Sequence, residues 1–186
     1  MPRIAPVPAE DMTDEQRRVH DKILGQRGLT TLRGPFEVML HAPEICEKVS
    51  DFVDHFMSET RLSSLLTELA IITVARQFTA QYEWFIHAKR GLQLGLDAGI
   101  VEAIRTGQRP EFNDPEQALI YDMVNEIAET RKLSDGHYAS AVATFGEPAV
   151  VELITLIGFY HAISVLLNSY QVEIPDIPGP EPLTEL

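Results

Sequence analysis

Only one cysteine, Cys46, occurs in 186 residues. Its solitude excludes an internal disulfide, a CxxC redox pair and a cysteine-rich zinc site. Cations are scarce too: 15 Lys and Arg face 28 Asp and Glu, for a formal net charge of −13. A field of that sign repels nucleic acid and anionic membrane, so neither is an expected partner. An anionic small substrate would need a local cationic pocket. No uninterrupted apolar run reaches the roughly 18 residues of a membrane span. The N-terminal Met1-Pro2-Arg3-Ile4-Ala5-Pro6 has no hydrophobic signal core. The expectation is a soluble, cytoplasmic protein. Strand-type alternation and internal repeats are also missing.

What is present is helical periodicity. With 45% hydrophobic residues the chain can bury a core, and its length suits a single domain. Thr13-Asp14-Glu15-Gln16 reads as a capping box opening a helix to about Leu24. Gly25 to Pro35 reads as a loop, and Pro43 opens a helix to about Met57. Leu62–Phe78 and Ala80–Leu94 follow, then a short helix from Ala98 to Thr106 capped by Asp97. Asp114-Pro115 starts a helix to about Lys132, and Ser134 starts another that ends near Gly146. The last helix, Ala149–Tyr170, is apolar nearly all round, so it belongs in a core or a subunit interface. From Ile174 the tail holds four of the twelve prolines and is expected to be extended, strapping onto a neighbour. The reading is an all-α, single-domain bundle of about eight helices.

The segment from Glu68 to Gly95 carries the residues with chemical potential. Glu83 and His87 are four apart and share one helix face. A carboxylate beside an imidazole fixes its tautomer and raises its pKa, which makes an acid/base pair. Glu68 lies nineteen residues before His87, about 28 Å along an unbroken helix. A break near Gln77-Phe78-Thr79, with Thr79 as a cap, would let two packed helices bring Glu68 back to His87. The plain alternative is a surface Glu–His contact.

These residues carry a resemblance. Glu68, then Tyr82-Glu83-Trp84-x-x-His87, then Gly95-Leu96, with Tyr121 in the helix after Asp114-Pro115, resemble the carboxymuconolactone decarboxylase family, which includes alkylhydroperoxidase D. Arg33-Gly34-Pro35-Phe36, His41-Ala42-Pro43, and Gly146 followed by Val150-Val151-Glu152-Leu153 extend it over about Gly28 to Pro175. The resemblance implies an all-helical fold assembling as trimers or hexamers. The alkylhydroperoxidase branch has a Glu, a CxxC pair and a His four residues on. Laid on this chain, Glu68 matches the Glu and His87 the His, while the cysteine positions fall on Ala80 and Glu83. Thiol peroxidase chemistry needs a thiolate and a resolving partner, so it is disfavoured. Cys46 reads as a small buried hydrophobe. The decarboxylase branch shares Glu83-x-x-x-His87 without cysteines but need not carry Glu68. The chain therefore resembles a cysteine-free group between the two.

The resulting expectation is a cofactor-independent lyase or isomerase acting on a small carboxylated lactone or a related aromatic-degradation intermediate. In it His87, with a near-neutral pKa, is the acid/base and Glu83 orients it. Glu68 is a second proton carrier or a hydrogen-bonding lock. Arg76 is a candidate cation for a substrate carboxylate, or else a salt-bridge partner. Arg33 could approach the pocket or be a solvated loop residue. Tyr82 and Trp84 are candidate substrate contacts or core aromatics, and His161 faces the site or sits satisfied in the core. A metal held by Glu68, Glu83, His87 and His161 is a third reading, but no HxxxH or HExxH motif supports it. A non-enzymatic ligand-binding oligomer is the remaining class.

Overall fold

The computed structural model describes residues 2–185. Among these, nine α-helices and one 3-10 turn form, with no strand. The all-α reading therefore holds. Backbone contacts divide the chain into two compact units, one running to Glu59 with Leu166–Glu173, the other comprising Thr60–Val165 and the tail from Ile174.

In the first unit, α1 (Asp14–Arg27) opens with the capping box of Thr13 and Gln16. It runs one turn beyond the expected end, through Gly25, because Gly25 points at open space and Gly28 supplies the left-handed cap at φ 62°. Where the expected loop ends, at Pro35, a short helix begins, α2 (Pro35–Met39), that periodicity could not reveal in five residues. Then comes α3 (Pro43–Ser58). Val19, Ile23, Phe36, Leu40, Cys46 and Phe56 form the buried interior of this unit. Arg27 lays its guanidinium over the Phe36 ring at 4.4 Å and pairs with Asp54 at 2.8 Å.

The second unit holds α4 (Ser64–Gln77), α5 (Gln81–Gln93), α6 (Ala98–Arg105), α7 (Pro115–Thr130), α8 (Asp135–Phe145) and most of α9 (Glu147–Tyr170). The expected caps form: Asp97, Asp114 and Ser134 each accept backbone N–H bonds at a helix start, and Ser63 does the same for α4, which begins two residues later than expected. α4 is the centre of this unit, with a continuous buried run from Leu66 to Arg76.

The tail, expected to strap onto a neighbour, lies on its own unit. Trp84 Nε1 donates to Glu181 O at 2.9 Å, and Gln81 exchanges side-chain bonds with both the N–H and the carbonyl of Leu183. Lys89 Nζ donates to Pro178 O at 2.7 Å. Gly179 sits so close to the Phe85 ring that no Cβ would fit. α9 is long and apolar enough to cross a membrane by length and composition alone, with a mean hydropathy of 2.0 in its most apolar stretch, although Glu152, His161, Ser164 and Asn168 interrupt its apolar residues. The span is 44% buried in the protein. Glu152 within it accepts from Thr60 Oγ1, Arg61 N and Arg61 Nη1.

Candidate functional site

The site is built by the break between α4 and α5. Phe78, Thr79 and Ala80 reverse the chain, with Thr79 at φ 46°. That conformation is strained for a β-branched residue, and Arg76 Nη2 donates to Thr79 Oγ1 at 3.3 Å. The N-cap of α5 is Ala80, which offers no side-chain bond, so Thr79 is the turn residue and not the cap. Gly91 lets the two helices approach: a Cβ there would meet Glu68 Cβ at 3.7 Å and Leu96 Cδ2 at 3.2 Å.

With α5 folded back, Glu68 meets His87. His87 Nδ1 donates to Glu68 Oε2 at 2.6 Å. On the other side, Nε2 lies 3.0 Å from Glu83 Oε2. This second contact is an ion pair without good alignment, and Glu83 Oε2 accepts no aligned hydrogen bond among the described residues. Arg90 completes the cluster, its Nε 3.0 Å from Glu68 Oε1. Tyr160 of α9 presents its ring edge-to-face to the imidazole, centroids 5.2 Å apart.

Burial makes these pairs matter. Glu68 is 1% exposed and Glu83 3%. A lone carboxylate in such surroundings would be prohibitively unstable, and here two carboxylates balance one imidazolium and one guanidinium. For His87, burial pulls the pKa down, but the charge and hydrogen bond of Glu68 and the close Glu83 carboxylate outweigh it. The net result is a pKa raised to about 10. The expected near-neutral imidazole is thus corrected. The two carboxylates favour the imidazolium over the neutral ring. Nδ1–H is held by the short bond to Glu68, and Nε2 faces Glu83 without good alignment.

The remaining candidates separate. Arg76 donates to Arg105 O, Thr184 O and Thr79 Oγ1, tying the tail to α4 and α6. Those carbonyls replace both the substrate carboxylate and the salt bridge expected of it. Trp84 is fully buried and spends its N–H on the tail. Gln81 and Lys89 of α5 bond the same tail. Tyr82 is buried. Arg33 is exposed and belongs to the first unit. His161 contacts Gln77 and Phe78. Among the described residues no group of three or more His, Cys, Asp or Glu is placed to hold a metal. Two participants went unread in the sequence. Arg90 completes an i, i+4, i+7 line with Glu83 and His87, a signal that was available. Tyr160 left none.

No protein-family model matches the sequence, and no curated protein matches it. Solved structures do match. An uncharacterized peroxidase-related protein from Silicibacter sp. TM1040 aligns with a TM-score of 0.71 at 15% identity, covering 94% of this chain and 90% of that one. The second is described as an alkylhydroperoxidase AhpD core, an uncharacterized peroxidase-related protein from Ralstonia eutropha JMP134. It aligns with a TM-score of 0.74 at 13% identity, covering 94% and 93%. The chain has the alkylhydroperoxidase D fold. The positions at which the resemblance places that fold's cysteine pair are Ala80, fully buried, and Glu83 in the charged cluster. Cys46 does not replace them. It is buried in the first unit, its thiol lies 3.8 Å from Phe36 O, and burial pushes its pKa up to about 11.

Proposed function

We propose that the protein is a cofactor-independent enzyme that moves a proton next to a carbonyl on a small carboxylated lactone or related unsaturated acid, in the manner of a carboxymuconolactone decarboxylase. The observation that carries this reading is His87 bracketed by two buried carboxylates at 2.6 and 3.0 Å. A structural core gains little from such a cluster, because well-packed apolar residues serve stability as well or better. Perturbed, mutually opposed titratable groups are the usual mark of proton-transfer chemistry.

In the decarboxylation, the C–CO2 bond breaks and its electron pair passes into the conjugated carbonyl as a dienolate. The Nε2–H of His87 then delivers its proton to carbon. A dienolate carbon is more basic than the imidazole, so transfer runs downhill even with a pKa of about 10. Glu68 keeps the ring oriented through Nδ1–H, and Glu83 attracts the replacement proton from water back to Nε2. The sum is one carboxylate and one proton converted to CO2 and the reduced-length product, with no oxidant or reductant.

The test is turnover of γ-carboxymuconolactone, followed by ultraviolet absorbance and released CO2, for wild type and His87→Gln. Proton transfer by a placed side chain contributes about 10²–10⁴-fold, so the variant should lose that much. Equal rates in the two proteins would overturn the assignment of His87.

A further inference from the structure

A cavity of about 460 Å³, separate in its lining from the His87 cluster, opens beside the end of α4. Gln77, Phe78, Ile127, Ala128, Arg131 and His161 line it. That volume lies within the range of small-molecule sites, and the lining has a particular order. Ile127, Ala128 and the Phe78 ring give apolar walls, and His161 leans on Phe78 with centroids 5.0 Å apart. Gln77 is fixed by donating its amide to Val124 O and Asn125 Oδ1, which turns its Oε1 toward His161 Nε2 at 3.3 Å. The imidazole therefore carries its proton on Nε2 and keeps Nδ1 as an acceptor. Arg131 closes α7 in the left-handed conformation at φ 66°. No ion pair to Arg131 forms among the described residues, although carboxylates outnumber cations almost two to one.

We infer that this cavity is a binding site for small aromatic carboxylates, with the ring between Phe78, His161, Ile127 and Ala128 and the carboxylate on Arg131. A guanidinium pairs with a carboxylate in bidentate fashion, and offset or edge-on rings suit the Phe78–His161 wall. The site is independent of the proton-transfer reading, since it shares no residue with the His87 cluster.

Benzoate is the probe, titrated into isotopically labelled protein and followed by amide NMR. Saturable shifts centred on Phe78, Ala128, Arg131 and His161 are expected, with a dissociation constant on the order of 1 mM for so small a ligand. Arg131→Met, at a surface position, should weaken binding about tenfold or more while leaving the spectrum of the rest of the chain intact. Acetate should bind at least about tenfold more weakly than benzoate, for want of a ring. His87→Gln should bind benzoate as wild type does. Shifts that do not saturate, undiminished binding in Arg131→Met, or loss of binding in His87→Gln alone would each overturn the proposal.

Discussion

Replacing Glu68 by Gln tests the electrostatics of the cluster without changing its shape. The amide oxygen still accepts from His87 Nδ1, so what disappears is the charge 2.6 Å from the imidazole. In wild type, raising His87 from 6.5 to about 10 corresponds to about 5 kcal/mol of folded-state preference for the imidazolium. Because the folded value lies above the unfolded one, this contribution is complete below about pH 6.5 and is lost as pH rises through about 10. In the variant only Glu83 supports the charge, and removing one partner of a buried pair costs about 3–5 kcal/mol. Urea unfolding followed by circular dichroism at about pH 6 and about pH 10 measures both. Lysines and tyrosines titrate in both proteins, so the difference between them isolates His87. The variant should be less stable by about 3–5 kcal/mol at the lower pH, with the gap narrowing at the higher. A loss below about 1 kcal/mol at the lower pH, or a gap that widens as pH rises, would mean that Glu68 does not hold the charge on His87.

Other consequences can be measured directly. Trp84→Phe leaves Glu181 O without its donor and should lower stability by about 1–3 kcal/mol in urea unfolding. Gly179→Ala forces a methyl into the Phe85 ring. It should cost about 1–3 kcal/mol and make the tail more open to limited proteolysis. Cys46, buried and with its pKa pushed up to about 11, should fail to react with Ellman's reagent in the folded protein and react fully after unfolding. We expect the exposed apolar residues of α9, Val151 at 58% and Val165 at 51%, to lie between copies of the chain. Light scattering should then give three or six chains, and Val151→Asp should lower that number.

The fold was legible in the sequence wherever helix ends carry their own chemistry. Thr13, Asp97, Asp114 and Ser134 act through a side-chain oxygen aimed at nearby N–H groups, a local interaction that needs no tertiary knowledge. α2 and the left-handed Thr79 were not legible, because a five-residue helix shows no period and strain at a turn depends on the packing around it. In the site, the Glu83–His87 pair follows from spacing alone. Contact between Glu68 and His87 needed only the break at residues 78–80. Arg90 was readable from the same helix face and was missed. Arg76 misled for a physical reason. An arginine in an acidic chain suggests a carboxylate partner, whereas here three oxygens of Arg105, Thr184 and Thr79 hold it. The direction of the tail was hidden too, since extended prolines are compatible with any surface that offers donors.

Whether His87 hands a proton to carbon is decided by running the turnover of γ-carboxymuconolactone in D2O and reading deuterium at the protonated carbon of the product by NMR. Wild type should release CO2 with one deuterium placed stereospecifically, and His87→Gln should lose both by about 10²–10⁴-fold. Stereorandom deuterium in the wild-type product, or stereospecific labelling that survives in His87→Gln, would contradict proton transfer by His87.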